Sequence, residues 1–164
     1  GPYYAFTMIK RRMHLAAPNA PHVKFHAAPV DFVAAGMYHL LEDPDTAHQA
    51  YYLTDPDPVS YNDFYKLACE ALGTFKPLLW LPPGMIKPLM RLPFTDRITG
   101  VPYSAFQYSY HPIEYDTSKA RAALEPHGVR CPPLRDYIGV LARYFLEHYR
   151  DPALRRGDWL AATT

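Results

Sequence analysis

Glycine is scarce in this chain, and no two glycines lie close enough to form a loop that binds a dinucleotide. The sequence has 8 glycines in 164 residues, and the closest pairs are Gly73 with Gly84 and Gly128 with Gly139. A Rossmann fingerprint or a phosphate-binding loop needs several glycines in one tight turn, because the backbone must approach the phosphates closely. The sequence therefore contains neither motif.

Disulfide frameworks, excess charge and long apolar runs are also missing. The two cysteines, Cys69 and Cys131, are far apart and match no zinc-binding spacing. With 17 basic and 16 acidic residues the formal net charge is +1, which favours neither nucleic acid nor an acidic membrane as a partner. No apolar run approaches the roughly 20 residues of a membrane span, and the first residues do not have the order of a signal peptide. We expect a soluble, cytoplasmic protein without a membrane span or a nucleic-acid partner.

Proline and tyrosine, in contrast, are abundant. The chain has 18 prolines, 14 tyrosines and a hydrophobic fraction of 49%, which is enough for one packed domain. Prolines divide the chain into short elements, and tyrosines suit surfaces that are apolar apart from one hydroxyl group. This composition favours a domain that lines a pocket. We expect the domain to occupy residues 1–150 and residues 151–164 to form a tail or linker.

Apolar periodicity and capping residues predict mostly helices. Asp31 is the expected N-cap of one helix, Ser60 or Asn62 that of another, and Gly73 the end of the latter. Two or three short strands do not form an independent sheet, so we expect a mostly helical α/β fold whose strands are edge pieces of a larger sheet. The predicted helices are 2–17, 31–42, 61–72, 116–128 and 133–151, with short helices and turns over 75–113 and extended segments or strands at 22–28, 50–54 and 78–81.

The segment YDTSK, residues 115–119, has the Tyr-x-x-x-Lys spacing of the catalytic pair of short-chain dehydrogenases. If Asp116 caps the helix that follows, Tyr115 lies outside this helix and Lys119 lies in its first turn. The two side chains then share no helical face, which the catalytic pair requires. We therefore interpret the segment as the start of a helix.

Other reactive side chains have simple structural explanations. His22 and His26 would be about 13 Å apart in an extended segment, too far for a metal pair, and Ser60 and Ser104 lack the Gly-x-Ser-x-Gly turn of a serine nucleophile. The basic run 10–12 is interpreted as a helix face in water, with contact to the phosphate of a carrier such as coenzyme A as the alternative. We predict no metal site.

Large apolar side chains near the start of the chain and in the proline-rich region form the candidate substrate pocket. Such side chains most often pack in a core. The alternative is that several of them line a pocket for a flexible acyl chain, which methionine and aromatic groups suit. The candidates are Tyr3, Tyr4, Phe6, Trp80, Met85, Met90, Phe94 and Phe106.

Six segments, taken in order, resemble the C-terminal, substrate-binding part of extended short-chain dehydrogenases. The most specific are PVDFVA and the pattern Tyr-x-Leu-Thr-Asp-Pro-x-Pro, and the group most similar to the chain is the bacterial fatty acyl-coenzyme A reductases and thioester reductases. The resemblance runs from residue 1 to about residue 158, although HVKFHAAPVDFV lacks the usual strand before the aspartate. The segments are GPYYAFTMIKRRMHLA, PVDFVAAGMYHLLE, AYYLTDPDPVSYNDFYKLACEALG, TDRITG, EYDTSKARAAL and PLRDYIGVLARYFLEHYRDP.

The resemblance implies a division of labour within a larger reductase. In such families an N-terminal Rossmann part holds NADP or NAD and the catalytic tyrosine and lysine, and the C-terminal part binds the substrate. It implies that the catalytic tyrosine precedes Gly1, that no catalytic or cofactor-binding residue lies in this chain, and that no cofactor binds the chain alone. The implied partners are a long apolar acyl substrate and the Rossmann part, and exposed strand edges make self-association a further expectation.

Two other functions remain open at this point. One is a lipid-binding or hydrophobe-binding module that works without catalysis. The other is a fragment of an extended reductase or epimerase that acts on a sterol or a sugar nucleotide. Acyl chains and sterols both require apolar walls alone, so the sequence does not separate them.

Overall fold

The chain folds into short helices around one small parallel pair of strands. The computed structural model describes residues 2–151, and none of the helices within them is long and apolar enough to cross a membrane. This architecture agrees with the predicted mostly helical α/β fold. The elements are α1 (Pro2–Lys10), β1 (Ala16–Pro18), α2 (Val30–Glu42), α3 (Tyr61–Ala71), β2 (Leu79–Leu81), α4 (Pro83–Leu89), α5 (Thr95–Thr99), α6 (Tyr103–Tyr108), α7 (Ser118–Leu124) and α8 (Leu134–His148), with 3-10 turns at Pro44–Thr46 and Glu125–His127.

Helices α1, α3 and α8 pack against one another and form the main core of the described chain. Phe6 of α1 is completely buried, and its ring meets Phe145 of α8 edge to face at a centroid distance of 5.5 Å. Phe64 of α3 is also buried and stacks on Phe25 at 3.8 Å. Burial of one such ring contributes about 1.5–3 kcal/mol. The Phe6–Phe145 pair therefore holds α1 to α8, and the Phe25–Phe64 pair holds the segment 22–28 to α3.

Helix α3 begins and ends where its capping residues predict. The Ser60 Oγ accepts a hydrogen bond from the Asp63 amide at 3.1 Å and donates one to the Asp63 carboxylate at 2.7 Å, which satisfies a free amide of the first turn. Gly73 follows the helix with φ of +63°, a left-handed conformation that favours glycine. Asn62 has another role, because its Oδ1 accepts the amide of Ala20 at 2.8 Å. The predictions for Ser60 and Gly73 are confirmed.

The first helix is much shorter than the predicted 2–17, and that prediction is wrong at its C-terminal end. Helix α1 ends at Lys10, and Arg12 takes φ of +58°. Residues Ala16–Pro18 instead pair in parallel with Leu79–Leu81, so that Ala17 lies opposite Trp80. The apolar spacing of residues 13–17 fits a helix locally, but hydrogen bonding to a strand more than 60 residues away determines the structure. The predicted strand at 78–81 is confirmed as β2.

The other two extended segments form little or no sheet. Residues 22–28 make one isolated antiparallel bridge, between Lys24 and Ser60. Residues 50–54 form no strand, so the prediction of a strand there is wrong for the described chain. The physical reason is that no described strand lies beside this segment, and a β-branched or aromatic sequence alone does not make a strand. Leu53 instead packs its side chain beside Gly36 of α2 and Leu124 of α7.

The remaining helices agree with prediction except at their ends. Helix α2 spans Val30–Glu42, but its N-cap is Pro29, and Asp31 accepts the amide of Phe32 at 3.0 Å from within the first turn. The prediction of Asp31 as the N-cap is therefore wrong by two residues. Helix α8 and the short helices α4, α5 and α6 lie within their predicted ranges. Of the predicted tail, 151–164, all but Asp151 lies outside the described residues.

Two glycines with positive φ provide a test of how α1 contacts the region after α5. A Cβ at Gly100, which has φ of +73°, would lie 2.8 Å from Thr7 Cγ2, whereas a Cβ at Gly73 would meet nothing within 4 Å. We expect Gly73→Ala to lower the free energy of unfolding by about 1 kcal/mol through backbone strain alone. Gly100→Ala should cost about 1–2 kcal/mol more because it adds the clash.

Urea denaturation of the two variants gives both values. Gly139→Ala is the control, because Gly139 lies in α8 with open space around it, and it should stabilise the chain by about 0.5–1 kcal/mol. Equal costs for Gly73→Ala and Gly100→Ala would contradict the close contact between Gly100 and α1.

Candidate substrate-binding site

A second, smaller apolar cluster lies beside the main core, and we call the residues that form it, 83–110 with Tyr4 and Met8, the small lobe. Met90, Val101 and Phe106 are its buried centre, with relative exposures of 5–7%. Tyr4 and Met8 of α1 pack against this centre. Helix α1 therefore has two apolar faces, one in the main core and one in the small lobe.

The eight predicted pocket residues fall into three groups. Tyr4, Met90 and Phe106 come together in the small lobe. Phe6 and the half-buried Trp80 belong to the main core, with Tyr3 at its edge, where its ring stacks on Phe145 at 6.1 Å. Met85 and Phe94 are exposed, by 65% and 63%. None of the eight lines either of the two cavities described below, and a pocket formed by them remains a prediction.

Arg11 holds the small lobe to both α1 and α8. Its Nη1 donates hydrogen bonds to the carbonyl oxygens of Arg97 and Ile98 at 2.9 and 2.7 Å, and its Nε donates to the Tyr149 hydroxyl at 3.3 Å. The predicted basic run 10–12 is exposed, but Lys10 alone lies in α1 and Arg11 and Arg12 lie in the turn after it. The structure adds that Arg11 connects three parts of the chain, which residue spacing did not reveal.

Two buried tyrosines, Tyr61 and Tyr65, and the partly buried Tyr110 join the main core to the small lobe. Tyr110 packs against both clusters, and its hydroxyl shares hydrogen bonds with those of Tyr61 and Tyr65 on α3. Burial raises the pKa of all three phenols, that of Tyr65 well above its usual value. The three side chains therefore stay protonated at neutral pH and act as hydrogen-bonding groups.

Two cavities lie on the other side of the chain, around the Asp55–Pro58 turn. The first, of about 260 Å³, lies between α2, the turn and α7. The second, of about 370 Å³, lies between the turn, residues 24–26 and residues 114–115. Pro56 and Asp57 line both. From the sequence, this turn was predicted only as the end of a strand, and its role in lining the two cavities was missed. The alternating Asp and Pro residues of 55–58 are the sequence feature that could have indicated this role. The charged lining residues are Lys24, Asp57, Glu114, Arg121, Glu125 and Arg130, and His26 also lines the second cavity.

Burial raises the pKa of one acid and of both thiol groups, one of which lines the first cavity. Asp55 is 4% exposed, and burial raises the pKa of its carboxyl group, although the group accepts the Asp57 amide at 2.9 Å. Burial also raises the pKa of Cys69 and of Cys131, which lines the first cavity, to about 11. A protonated thiol is a poor nucleophile and a poor metal ligand. Within residues 2–151, no three His, Cys, Asp or Glu side chains group into a metal site.

The YDTSK segment starts a helix. The Asp116 carboxylate accepts the amide of Ser118, the first residue of α7, at 2.9 Å. The N-cap residue is Thr117 and not the predicted Asp116, so the helix begins one residue later than predicted. Tyr115 precedes the helix and packs its ring edge to face on His26 at 4.9 Å, while Lys119 is exposed. The structure thus does not place Tyr115 and Lys119 on one helical face.

His26 belongs to the border of the second cavity rather than to a metal pair. Its Nε2 lies 2.8 Å from the carbonyl oxygen of Ile113, and its Nδ1 is buried without a hydrogen-bond partner among the described residues. His22 is exposed. His26 therefore contributes to the contact between the extended segment and residues 113–115.

Comparison with known proteins establishes the fold. No protein-family model and no curated protein matches the chain. Among solved structures, the terminal R domain from the myxalamid PKS-NRPS biosynthetic pathway matches 88% of this chain with a TM-score of 0.66 and 19% identity. The structure of gox2253 matches 86% with a TM-score of 0.53 and 20% identity. The chain spans 38% and 44% of the lengths of these two proteins.

At this level of identity the similarity concerns the fold. The chain has the architecture of part of that terminal R domain. This agrees with the resemblance drawn from its sequence. The narrower assignment to fatty acyl-coenzyme A reductases belongs to the proposal below.

The tyrosine cluster provides a test of how the two clusters are joined. Tyr110→Phe keeps the ring and removes the hydroxyl that Tyr61 and Tyr65 share, which leaves buried hydroxyl groups with fewer partners. We expect the free energy of unfolding to fall by about 1–3 kcal/mol in urea denaturation. Tyr38→Phe, at a position 60% exposed on α2, should leave stability unchanged. A Tyr110→Phe variant as stable as the parent would contradict a structural role for these hydrogen bonds.

Proposed function

We propose that this chain is the substrate-binding part of an NAD(P)H-dependent reductase that acts on long-chain acyl thioesters. The observation that carries the proposal is the fold match to a terminal R domain over 88% of the chain. Its sequence resemblance to acyl-coenzyme A and thioester reductases supports the same function. Because the chain spans 38% of that R domain, the activity would belong to a larger protein.

The nucleotide site would lie outside these residues. The described residues contain no glycine-rich turn at the end of a strand, which is the feature that brings a backbone to a pyrophosphate. We therefore assign no residue of the chain to NADP or NAD and no proton transfer to any of its side chains. Its role is to bind and orient the acyl substrate.

The small lobe and the adjoining edge of the main core are the proposed acyl-binding region. Tyr3 lies at the edge of the main core against Phe145, and Met85 lies in α4 of the small lobe. Both are large and partly or mostly exposed, 41% and 65%. Methionine and aromatic side chains adapt to a flexible hydrocarbon chain. Each methylene group that such a surface removes from water contributes about 0.8 kcal/mol, or about fourfold in affinity.

Calorimetric titration with acyl-coenzyme A thioesters below their micellar concentration tests this function. We expect affinity to rise with acyl length, by up to about fourfold per methylene group, and free coenzyme A to bind weakly. The double variant Tyr3→Ala, Met85→Ala should weaken binding of the longest thioester about tenfold, because two apolar side chains are lost. The matched control is Tyr38→Ala on the exposed face of α2, which should have no effect.

Two results would contradict the proposal. An affinity that does not depend on acyl length would exclude the acyl-binding role. Oxidation of NADPH by the chain alone, with any of these thioesters, would contradict the division between a nucleotide-binding part and this substrate-binding part.

A further inference from the structure

The segment from the end of α4 to the end of α5 exposes a continuous series of large apolar side chains. Leu89, Leu92, Phe94 and Ile98 are 60%, 56%, 63% and 62% exposed, and we call this group the apolar strip. Soluble proteins rarely expose large apolar side chains so close together without a partner. The strip lies on the outer side of the small lobe, whose buried centre is formed by Met90, Val101 and Phe106.

The backbone at Phe94 keeps its ring in this strip. Phe94 has φ of +69°, a left-handed conformation that is rare and unfavourable for a bulky residue. The ring remains 63% exposed, so the described residues do not compensate this strain by burying it. The Arg97 guanidinium lies 5.6 Å from the centre of the ring. An aromatic group and a cation are thus presented together.

Charge around the strip is mostly positive, although the chain as a whole is nearly neutral. Residues 75–113 contain four basic residues and one acidic residue, Asp96. Lys87, Arg91 and Arg97 lie within or beside the strip and are exposed. Arg91 holds its place by donating to the Tyr103 hydroxyl at 2.9 Å. The strip is therefore apolar side chains bordered by cations.

The exposed apolar face of α2 lacks this combination. Val30, Met37 and Leu41 are 82%, 53% and 82% exposed, yet their charged neighbours in sequence are the acidic residues Asp31 and Glu42. An anionic partner is attracted by the charges around the strip and repelled by those of α2.

We propose that the apolar strip and its cations dock the chain onto the surface of an anionic lipid bilayer. The leucine, phenylalanine and isoleucine side chains enter the interfacial layer, and Lys87, Arg91 and Arg97 meet the lipid phosphates. Helices α4 and α5 have 7 and 5 residues, and each is much shorter than the roughly 20 residues that span a bilayer. The chain would therefore bind at the surface of the bilayer. A bilayer fits better than an acidic protein because the strip projects outward from two short helices, and a fluid surface accommodates projecting side chains without a matching groove. This inference is independent of the proposed reductase function.

Co-sedimentation of the 164-residue chain with vesicles tests the inference. We compare pure phosphatidylcholine vesicles with vesicles that contain one third phosphatidylglycerol. Binding should be at least fivefold stronger to the anionic vesicles and should weaken in high salt. Leu89→Ser with Ile98→Ser should reduce it about tenfold, and Lys87→Gln about fivefold. The matched control, Met37→Ser with Leu41→Ser on α2, should bind as the parent does.

Several outcomes would overturn the inference. These are absence of binding to anionic vesicles, equal binding to both vesicle types, and unchanged binding of the Leu89→Ser, Ile98→Ser variant with a parent-like circular dichroism spectrum. Capture of an acidic acyl carrier protein by the strip without vesicle binding would assign it to a protein partner, and a dimer abolished by the same variant would assign it to a second copy.

Discussion

Burial of α1 on two sides is the interaction on which the rest of the structure depends. Phe6 and Ile9 face α3 and α8 in the main core, with 0% and 1% exposure, while Tyr4 and Met8 face the small lobe. A nine-residue helix is too short to be stable alone in water, so its contacts on both sides hold it in place. Helix α1 is also the helix that contacts both the main core and the small lobe. Arg11, just after its end, adds hydrogen bonds to Arg97, Ile98 and Tyr149.

This arrangement gives the two parts of the molecule different properties. The main core is closed, with aromatic rings stacked between helices. The small lobe has a small buried centre and a large apolar outer surface, which suits contact with acyl chains or lipid. The tyrosine cluster lies where the two parts meet, so the position of the outer surface is set by the core. Both proposals, acyl binding and docking on a bilayer, depend on the apolar outer surface of the small lobe.

The sequence predicted what depends on neighbouring residues. Ser60 and Gly73 act within one or two helical turns, and they were identified from residue type and position. Features that depend on distant residues were missed or wrong. Residues 13–17 leave the helical pattern because of pairing with β2, and residues 50–54 form no strand because no described strand lies beside them. The cavities around Asp55–Pro58 arise from α2, α7 and residues 113–115 meeting at one turn, which no local pattern encodes. Of the eight predicted pocket residues, Tyr4, Met90 and Phe106 cluster in the small lobe. They come from α1, from the turn between α4 and α5, and from α6, so no local pattern groups them.

The central claim is that the helices of the main core form stable structure within this chain, whereas the extended segment 50–54 has no hydrogen-bonded neighbour. Hydrogen–deuterium exchange of the chain, followed by mass spectrometry, tests this claim most directly. Within the described residues, no backbone hydrogen bond joins the amides of residues 50–54 to another segment, whereas α3 and α8 are fully helical and buried on one face. The account predicts slow exchange over Tyr61–Ala71 and Leu134–His148 and fast exchange over residues 50–54, because exchange follows the opening of hydrogen-bonded, buried structure. Slow exchange over residues 50–54, or fast exchange throughout both helices, would contradict it.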